Sequence, residues 1–124
     1  MQDSFTLITG ASSGFGQAIA RTLAAEGRSL IITARRKKRL QSLAEELSGQ
    51  RGVEVIPLCF DVRRRDEVEA AAEELKGRGI ELNHLINNAG LALGLSDIAN
   101  GDVDDWDQMI DTNVKGLLYA TRSF

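Results

Sequence analysis

The sequence predicts an α/β fold, a doubly wound parallel sheet with helices on both faces in three αβα layers. Three observations carry this. Short apolar runs alternate four times with helical patterns, the order that parallel sheets with right-handed crossovers require. The second run, Ser29-Leu30-Ile31-Ile32-Thr33-Ala34, is apolar almost throughout, as in a strand buried on both faces. The first run leads through Thr9-Gly10-Ala11-Ser12-Ser13-Gly14-Phe15-Gly16 into a helix. That glycine-rich turn lets backbone approach a phosphate at a helix N-terminus, although a lone glycine triplet also suits any tight turn.

Each element follows in order. Phe5 to Thr9 reads as the first strand. Gly14 to Glu26 reads as a helix with Phe15, Ile19, Ala20, Leu23 and Ala24 on one face, ended by Gly27. After the second strand, Leu40, Leu43, Ala44 and Leu47 mark a helix stopped near Gly49 and Gly52. Val53 to Cys59 is the third strand, and Pro57, which cannot donate to a ladder, places it at or near a sheet edge. Asp66 is expected to cap the third helix in a capping box with Glu69, and Val68, Ala71, Ala72 and Leu75 form its inner face. Leu82 to Asn87 is the fourth strand. A loop of glycine and small residues follows, then a last helix from about Val103 or Asp104.

Composition bounds the function. The 124 residues suffice for one domain, and 43% hydrophobic and 27% charged residues are ordinary for a soluble globular protein. A net charge of −3 argues against nucleic-acid binding. No signal-like or membrane-length apolar segment is present, which places the protein in the cytoplasm. The single cysteine, Cys59, excludes an internal disulfide and is expected to be a buried, inert thiol. The single histidine, His84, lacks the partners of a zinc site and is read as structural, so no metal is expected.

The glycine turn, with Gly10, Ser12, Ser13, Gly14, Phe15 and Gly16, is the candidate phosphate cradle. In dinucleotide folds a carboxylate about 20 residues further on holds the ribose 2′-hydroxyl. Here the second strand ends in Thr33-Ala34-Arg35-Arg36, with cations instead. A guanidinium suits a 2′-phosphate, so Arg35 and Arg36 favour NADP over NAD. Lys37, Lys38 and Arg39 read as a solvated face. Asn87, Ala89 and Gly90, in Asn87-Asn88-Ala89-Gly90 at the carboxyl end of the fourth strand, stand where such sheets bind ligands, or form a turn with local hydrogen bonds. Asp61, beside Val62, either accepts from an adenine amino group or caps its loop. Asn113 falls on the stripe of Trp106, Met109, Ile110, Val114, Leu117 and Leu118. A buried asparagine needs partners, so it makes either a helix–helix hydrogen bond or cap, or a polar contact in an active site.

Together Thr9-Gly10-x-x-x-Gly14-x-Gly16, Asp61-Val62, Asn87-Asn88-Ala89-Gly90 and Asp111-Thr112-Asn113-Val114 resemble the short-chain dehydrogenase/reductase family, in its order and spacing and across the whole chain. The segment Asn87 to Gly94, with Asp105-Trp106 and Met109 to Asn113, resembles in particular the NADP-dependent 3-hydroxy acid dehydrogenases acting on serine and allo-threonine. The resemblance implies a Rossmann-type dinucleotide-binding domain over residues 1–124 and hydride transfer between NADP(H) and a small hydroxy acid or alcohol. It implies that Gly10, Gly14 and Gly16 face the pyrophosphate, Arg35 and Arg36 the 2′-phosphate, Asp61 and Val62 the adenine, and Asn87, Ala89 and Gly90 the ribose and nicotinamide. Asn113 would be the catalytic asparagine that positions a water in the proton relay.

One departure is large. The family's chemistry uses a serine, and a tyrosine followed four residues later by a lysine, beyond the fourth strand. The only tyrosine here, Tyr119, has Ser123 in the lysine's place. The expectation is therefore a family fold truncated after its fourth strand and helix, which binds cofactor without turnover. Its bared strand edge and apolar helix stripe predict a homo-oligomer. The alternatives are a non-catalytic nucleotide-binding or association module, or an NAD-dependent relative.

Overall fold

The computed structural model describes residues 4–50, 52–94 and 97–124. Four strands, β1 (Phe5–Ile8), β2 (Ser29–Ala34), β3 (Val55–Cys59) and β4 (Leu82–Ile86), form one parallel sheet in the order β3-β2-β1-β4. Helices α1 (Gly14–Ala25), α2 (Lys37–Ser48) and α3 (Arg65–Gly77) join them. After β4 come a short 3₁₀ turn (Ile98–Asn100), α4 (Val103–Ile110), a π-helical segment (Asp111–Gly116) and α5 (Leu117–Ser123). No described helix is long and apolar enough to cross a membrane.

Two apolar clusters sandwich the sheet, which gives the expected Rossmann-type αβα layering. Ala20 and Ala24 of α1 and Leu40, Leu43, Ala44 and Leu47 of α2 close over Ile8, Leu30 and Ile32 on one face. On the other, Val68, Ala71 and Leu75 of α3, with Tyr119 and Phe124, close over Leu7, Ile31 and Ile56. The alternation along β2 sends successive side chains to opposite clusters, so the strand has no polar face and reads as one apolar run. Arg21 of α1 and Glu46 of α2 form a forked ion pair at 2.8 and 3.1 Å across the outer surface.

Several expectations need correction. Phe15 does not face the core: it is 83% exposed, and the buried face of α1 is Gly16, Ala20 and Ala24. Small residues at that spacing bring α1 close to the sheet, where a phenyl ring has no room. Cys59 is exposed, because it ends the edge strand β3, and its thiol donates to the Arg35 carbonyl at 3.4 Å. Pro57 does lie on that edge strand. Asp66 is not the cap of α3: the cap position is Arg64, without a side-chain bond, and Asp66 and Glu67 sit in the first turn. There they oppose the positive end of the helix dipole. The last helix is not uniform but widens into a π-helix at Asp111–Gly116. Its stripe is not buried either: Ile110, Val114, Leu117 and Leu118 are exposed, as is Asn113.

Candidate functional site

The strand order reverses between β1 and β4, so their carboxyl ends diverge and leave a crevice, the place where open α/β sheets receive ligands. A cleft of about 340 Å³ opens there. The glycine turn, the end of β2, the loop after β3 and the Asn88–Leu91 segment surround it.

The glycines divide the work of the turn. Gly14 has φ +57° and open space where a side chain would stand, so its freedom is conformational and its backbone borders the cleft. Gly10 and Gly16 are required by contact. A Cβ on Gly10 would lie 2.8 Å from Ala89 Cα, and one on Gly16 would run into the Gly10 carbonyl and the Asn88 amide. Gly16 is buried behind the turn and is not part of the cleft wall. Thr9, assigned no role from sequence, and Asn88, read there only as part of the amide pair after β4, brace this arrangement. The Thr9 hydroxyl accepts the backbone N–H groups of Asn88 and Ala89, both at 3.0 Å, and Asn88 Nδ2 donates to the Gly10 carbonyl at 3.0 Å. The signal available in sequence was a hydroxyl at a strand end and a second amide beside Asn87.

The electrostatics favour an anion. The cap residue of α1, Ser13, leaves its hydroxyl out of any capping bond, and the first turn holds no acid. The N-terminus of α2 is likewise uncapped and without acids. By contrast α3 and α4 carry Asp66, Glu67, Asp104 and Asp105 in their first turns, and α4 is capped by Asp102. The two helix ends nearest the cleft thus keep their positive character. Arg35 and Arg36 line the cleft, are exposed, and take part in no ion pair among the described residues.

Asp61 contributes the one carboxylate of the cleft wall, and Arg63 holds it. Arg63 Nη2 donates to Oδ2 at 2.7 Å, Nε lies 3.1 Å from both oxygens, and the Arg63 backbone N–H donates to Oδ1 at 3.0 Å. Burial works to raise the Asp61 pKa, but these bonds and the charges of Arg63 and Arg35 outweigh it and hold it below the ordinary value. Asp61 therefore does cap its own loop.

The remaining predicted residues separate. Ala89 and Gly90 line the cleft, as do Ser12 and Val62. Asn87 does not: its Nδ2 donates to Thr121 Oγ1 at 3.0 Å, towards α5. Asn113, in the π-helical segment, makes a two-way bond with Leu91, accepting its N–H at 2.9 Å and donating to its carbonyl at 2.9 Å. It thereby fixes the loop after Gly90, where a Cβ would lie 3.0 Å from Asn113 Oδ1. π-Helical turns recur at functional sites. Two cleft-lining threonines escaped the sequence reading, Thr33 and Thr112. Both are buried, and neither hydroxyl oxygen has a partner among the described residues. A buried unpaired hydroxyl costs about 1–3 kcal/mol, a cost a bound polar molecule can relieve.

These features match known proteins along the whole described chain. The model of the short chain dehydrogenase family matches residues 4–124. The sequence is 45% identical over 117 residues to an NADP-dependent 3-hydroxy acid dehydrogenase of Salmonella typhi, covering 94% of this chain and 46% of that protein. It is 50% identical over 117 residues to sulfoacetaldehyde reductase 2 of Chromohalobacter salexigens, with the same 94% and 46% coverage. The crystal structure of serine dehydrogenase from Escherichia coli superposes with a TM-score of 0.87 at 42% identity, over 96% of this chain and 53% of that one. The chain thus spans about half the length of the curated relatives it matches. Fold, motif order and similarity agree: the chain belongs to the short chain dehydrogenase family.

Proposed function

We propose that this chain is the NADP-holding half of a cytoplasmic oxidoreductase that moves hydride between NADP(H) and a small hydroxy acid or alcohol and its carbonyl form. Residues 1–124 act in this reading as one dinucleotide-binding domain. The observation that carries it is the pair Arg35 and Arg36, in no ion pair among the described residues, at the end of β2 on a cleft floored by the glycine turn. The names of relatives support the cofactor, since one of them is an NADP-dependent dehydrogenase.

NADP, when bound, supplies the hydride acceptor, and its reduced form the donor. The residues do the rest. The N–H groups of the Gly10–Gly14 turn, with Ser12, Ser13 and Phe15, take the pyrophosphate at the start of α1. Gly16 keeps α1 close enough for them to do so. Arg35 and Arg36 fork onto the 2′-phosphate. Asp61 and Val62 border the adenine, and the unpaired Thr33 and Thr112 hydroxyls fit a polar ligand on the same wall. Ala89, Gly90 and, once its amide leaves Thr121, Asn87 take the ribose and nicotinamide side. Asn113, which holds the loop after Gly90 through Leu91, would position a water for proton transfer.

The substrate class rests on relatives named for 3-hydroxy acids and for sulfoacetaldehyde, both small and polar. Within the 124 residues no tyrosine has a lysine four positions on, and Tyr119 is packed against the core. The chain by itself is therefore expected to bind NADPH without oxidising it. Incubation with a panel of 3-keto acids, followed at the nicotinamide absorbance, checks this; robust turnover would overturn it.

A second reading, association, is favoured by the exposed Ile110, Val114, Leu117 and Leu118 along one helical run. Exposed apolar side chains on one helical run suit such an interface. Sedimentation at rising concentration is expected to show a homodimer or larger species, and Leu118→Lys to shift it towards monomer. A stable monomer at high concentration rejects this reading.

A further inference from the structure

The cleft has a charge problem that Arg63 solves. Asp61 lines it as its one carboxylate, and Arg35 lines it close enough to lower the Asp61 pKa through its charge. An aspartate beside an arginine ordinarily closes into an ion pair. A guanidinium so captured has its fork occupied and its charge offset. Yet Arg35 is exposed and takes part in no ion pair among the described residues, because Arg63 occupies the carboxylate first. Its Nε and Nη2 reach both oxygens at 2.7 to 3.1 Å, and its backbone N–H takes one of them again at 3.0 Å. The two side chains are only 26% and 14% exposed, so water does not screen the pair as it does the other ion pairs, all between side chains at least 40% exposed. The Asp61 backbone N–H is itself fixed by Glu67 Oε1 at 3.0 Å, so the carboxylate and its partner are held from both ends.

We propose that Arg63 is a specificity-determining positioning residue: by taking both oxygens of Asp61 it keeps Arg35 free for the 2′-phosphate and cancels the carboxylate's repulsion of that phosphate. Arg63 is not among the residues lining the cleft and acts through Asp61. The inference rests on the NADP reading above. It predicts an effect on discrimination between NADP and NAD, which share every group except the 2′-phosphate, rather than on cofactor binding as a whole.

The test is titration calorimetry of the 124-residue chain with NADP and with NAD. The wild type is expected to prefer NADP. Arg63→Gln is expected to reduce the NADP/NAD affinity ratio by about tenfold, the size of one charge-assisted contact. Arg63→Lys, which keeps the charge but not the fork, is expected to lose less. The double variant Arg63→Gln with Asp61→Asn is expected to regain the wild-type ratio, since no carboxylate remains to capture Arg35. A structural role would weaken both cofactors alike and leave the ratio unmoved. If the wild type prefers NADP and neither Arg63 variant changes the ratio, or the double variant fails to restore it, the inference is wrong while the NADP reading stands. If the wild type shows no preference for NADP, both are wrong. Circular dichroism on each variant separates unfolding from altered discrimination, and Arg63→Lys and the double variant keep the test decisive where Arg63→Gln does not fold.

Discussion

Among single residues the three glycines are distinguishable by what each avoids. Gly14→Ala places a side chain in open space at positive φ, so its cost is conformational, about 1 kcal/mol. Gly16→Ala must displace the Gly10 carbonyl and the Asn88 amide, so it is expected to cost more than Gly14→Ala and to disturb the whole turn. Urea denaturation of the two variants checks the order. Asp61 yields a second residue-level prediction. Its folded pKa lies below the ordinary 3.8, so it adds stability above pH 3.8, and that increment is lost as pH falls below 3.8 through the folded value. Arg63→Gln is expected to cost about 2 kcal/mol at neutral pH, with the difference from wild type shrinking below pH 3.8. A difference independent of pH contradicts this. At this scale the sequence was readable where position alone decides: the glycine turn and the arginines after β2 do stand on the cleft, and Gly10 and Gly16 have no room for a side chain. It was unreadable where a partner decides the role: Asp61 against Arg63, Asn87 against Thr121 and Asn88 against the Gly10 carbonyl are settled by groups distant in sequence or by rotamer choice.

Among elements, periodicity located β2 and the core face of α2 because burial alone dictates them. Leu47 of α2 is fully buried, and Leu47→Ala is expected to cost about 3 kcal/mol in the same urea experiment. Periodicity failed in two places for stated reasons. On α1 it selected Phe15 as a core residue, although the helix buries Gly16, Ala20 and Ala24 and packs Ile19 and Leu23 against the core while Phe15 points away. On the last helix it assumed a constant pitch, whereas the π-helical segment adds a residue to the turn and alters which side chains align. That widened turn carries Asn113 to the Leu91 backbone. Asn113→Ala removes both bonds, and amide hydrogen exchange at Leu91 is expected to accelerate roughly tenfold while the amides of β2 stay protected. Unchanged exchange at Leu91 would mean that Asn113 does not hold the loop.

For the molecule as a whole, the sheet order β3-β2-β1-β4 gathers elements distant in sequence around one crevice. The glycine turn after β1, the arginines after β2, the Asp61 loop after β3 and the Asn88–Gly90 segment after β4 all meet there. Alternating strands and helices made that convergence predictable, because parallel strands put every carboxyl end on the same side of the sheet. Helix ends without acids and two guanidiniums that join no ion pair among the described residues then give the crevice an electropositive character. The central claim is that this anion is the 2′-phosphate of NADP and that Arg35 reads it. It is tested most directly by the affinities of wild type and Arg35→Ala for NADP and NAD. The account predicts that wild type prefers NADP by at least about tenfold and that Arg35→Ala abolishes most of the preference with NAD binding little changed. An Arg35→Ala chain that keeps the full NADP preference would contradict it.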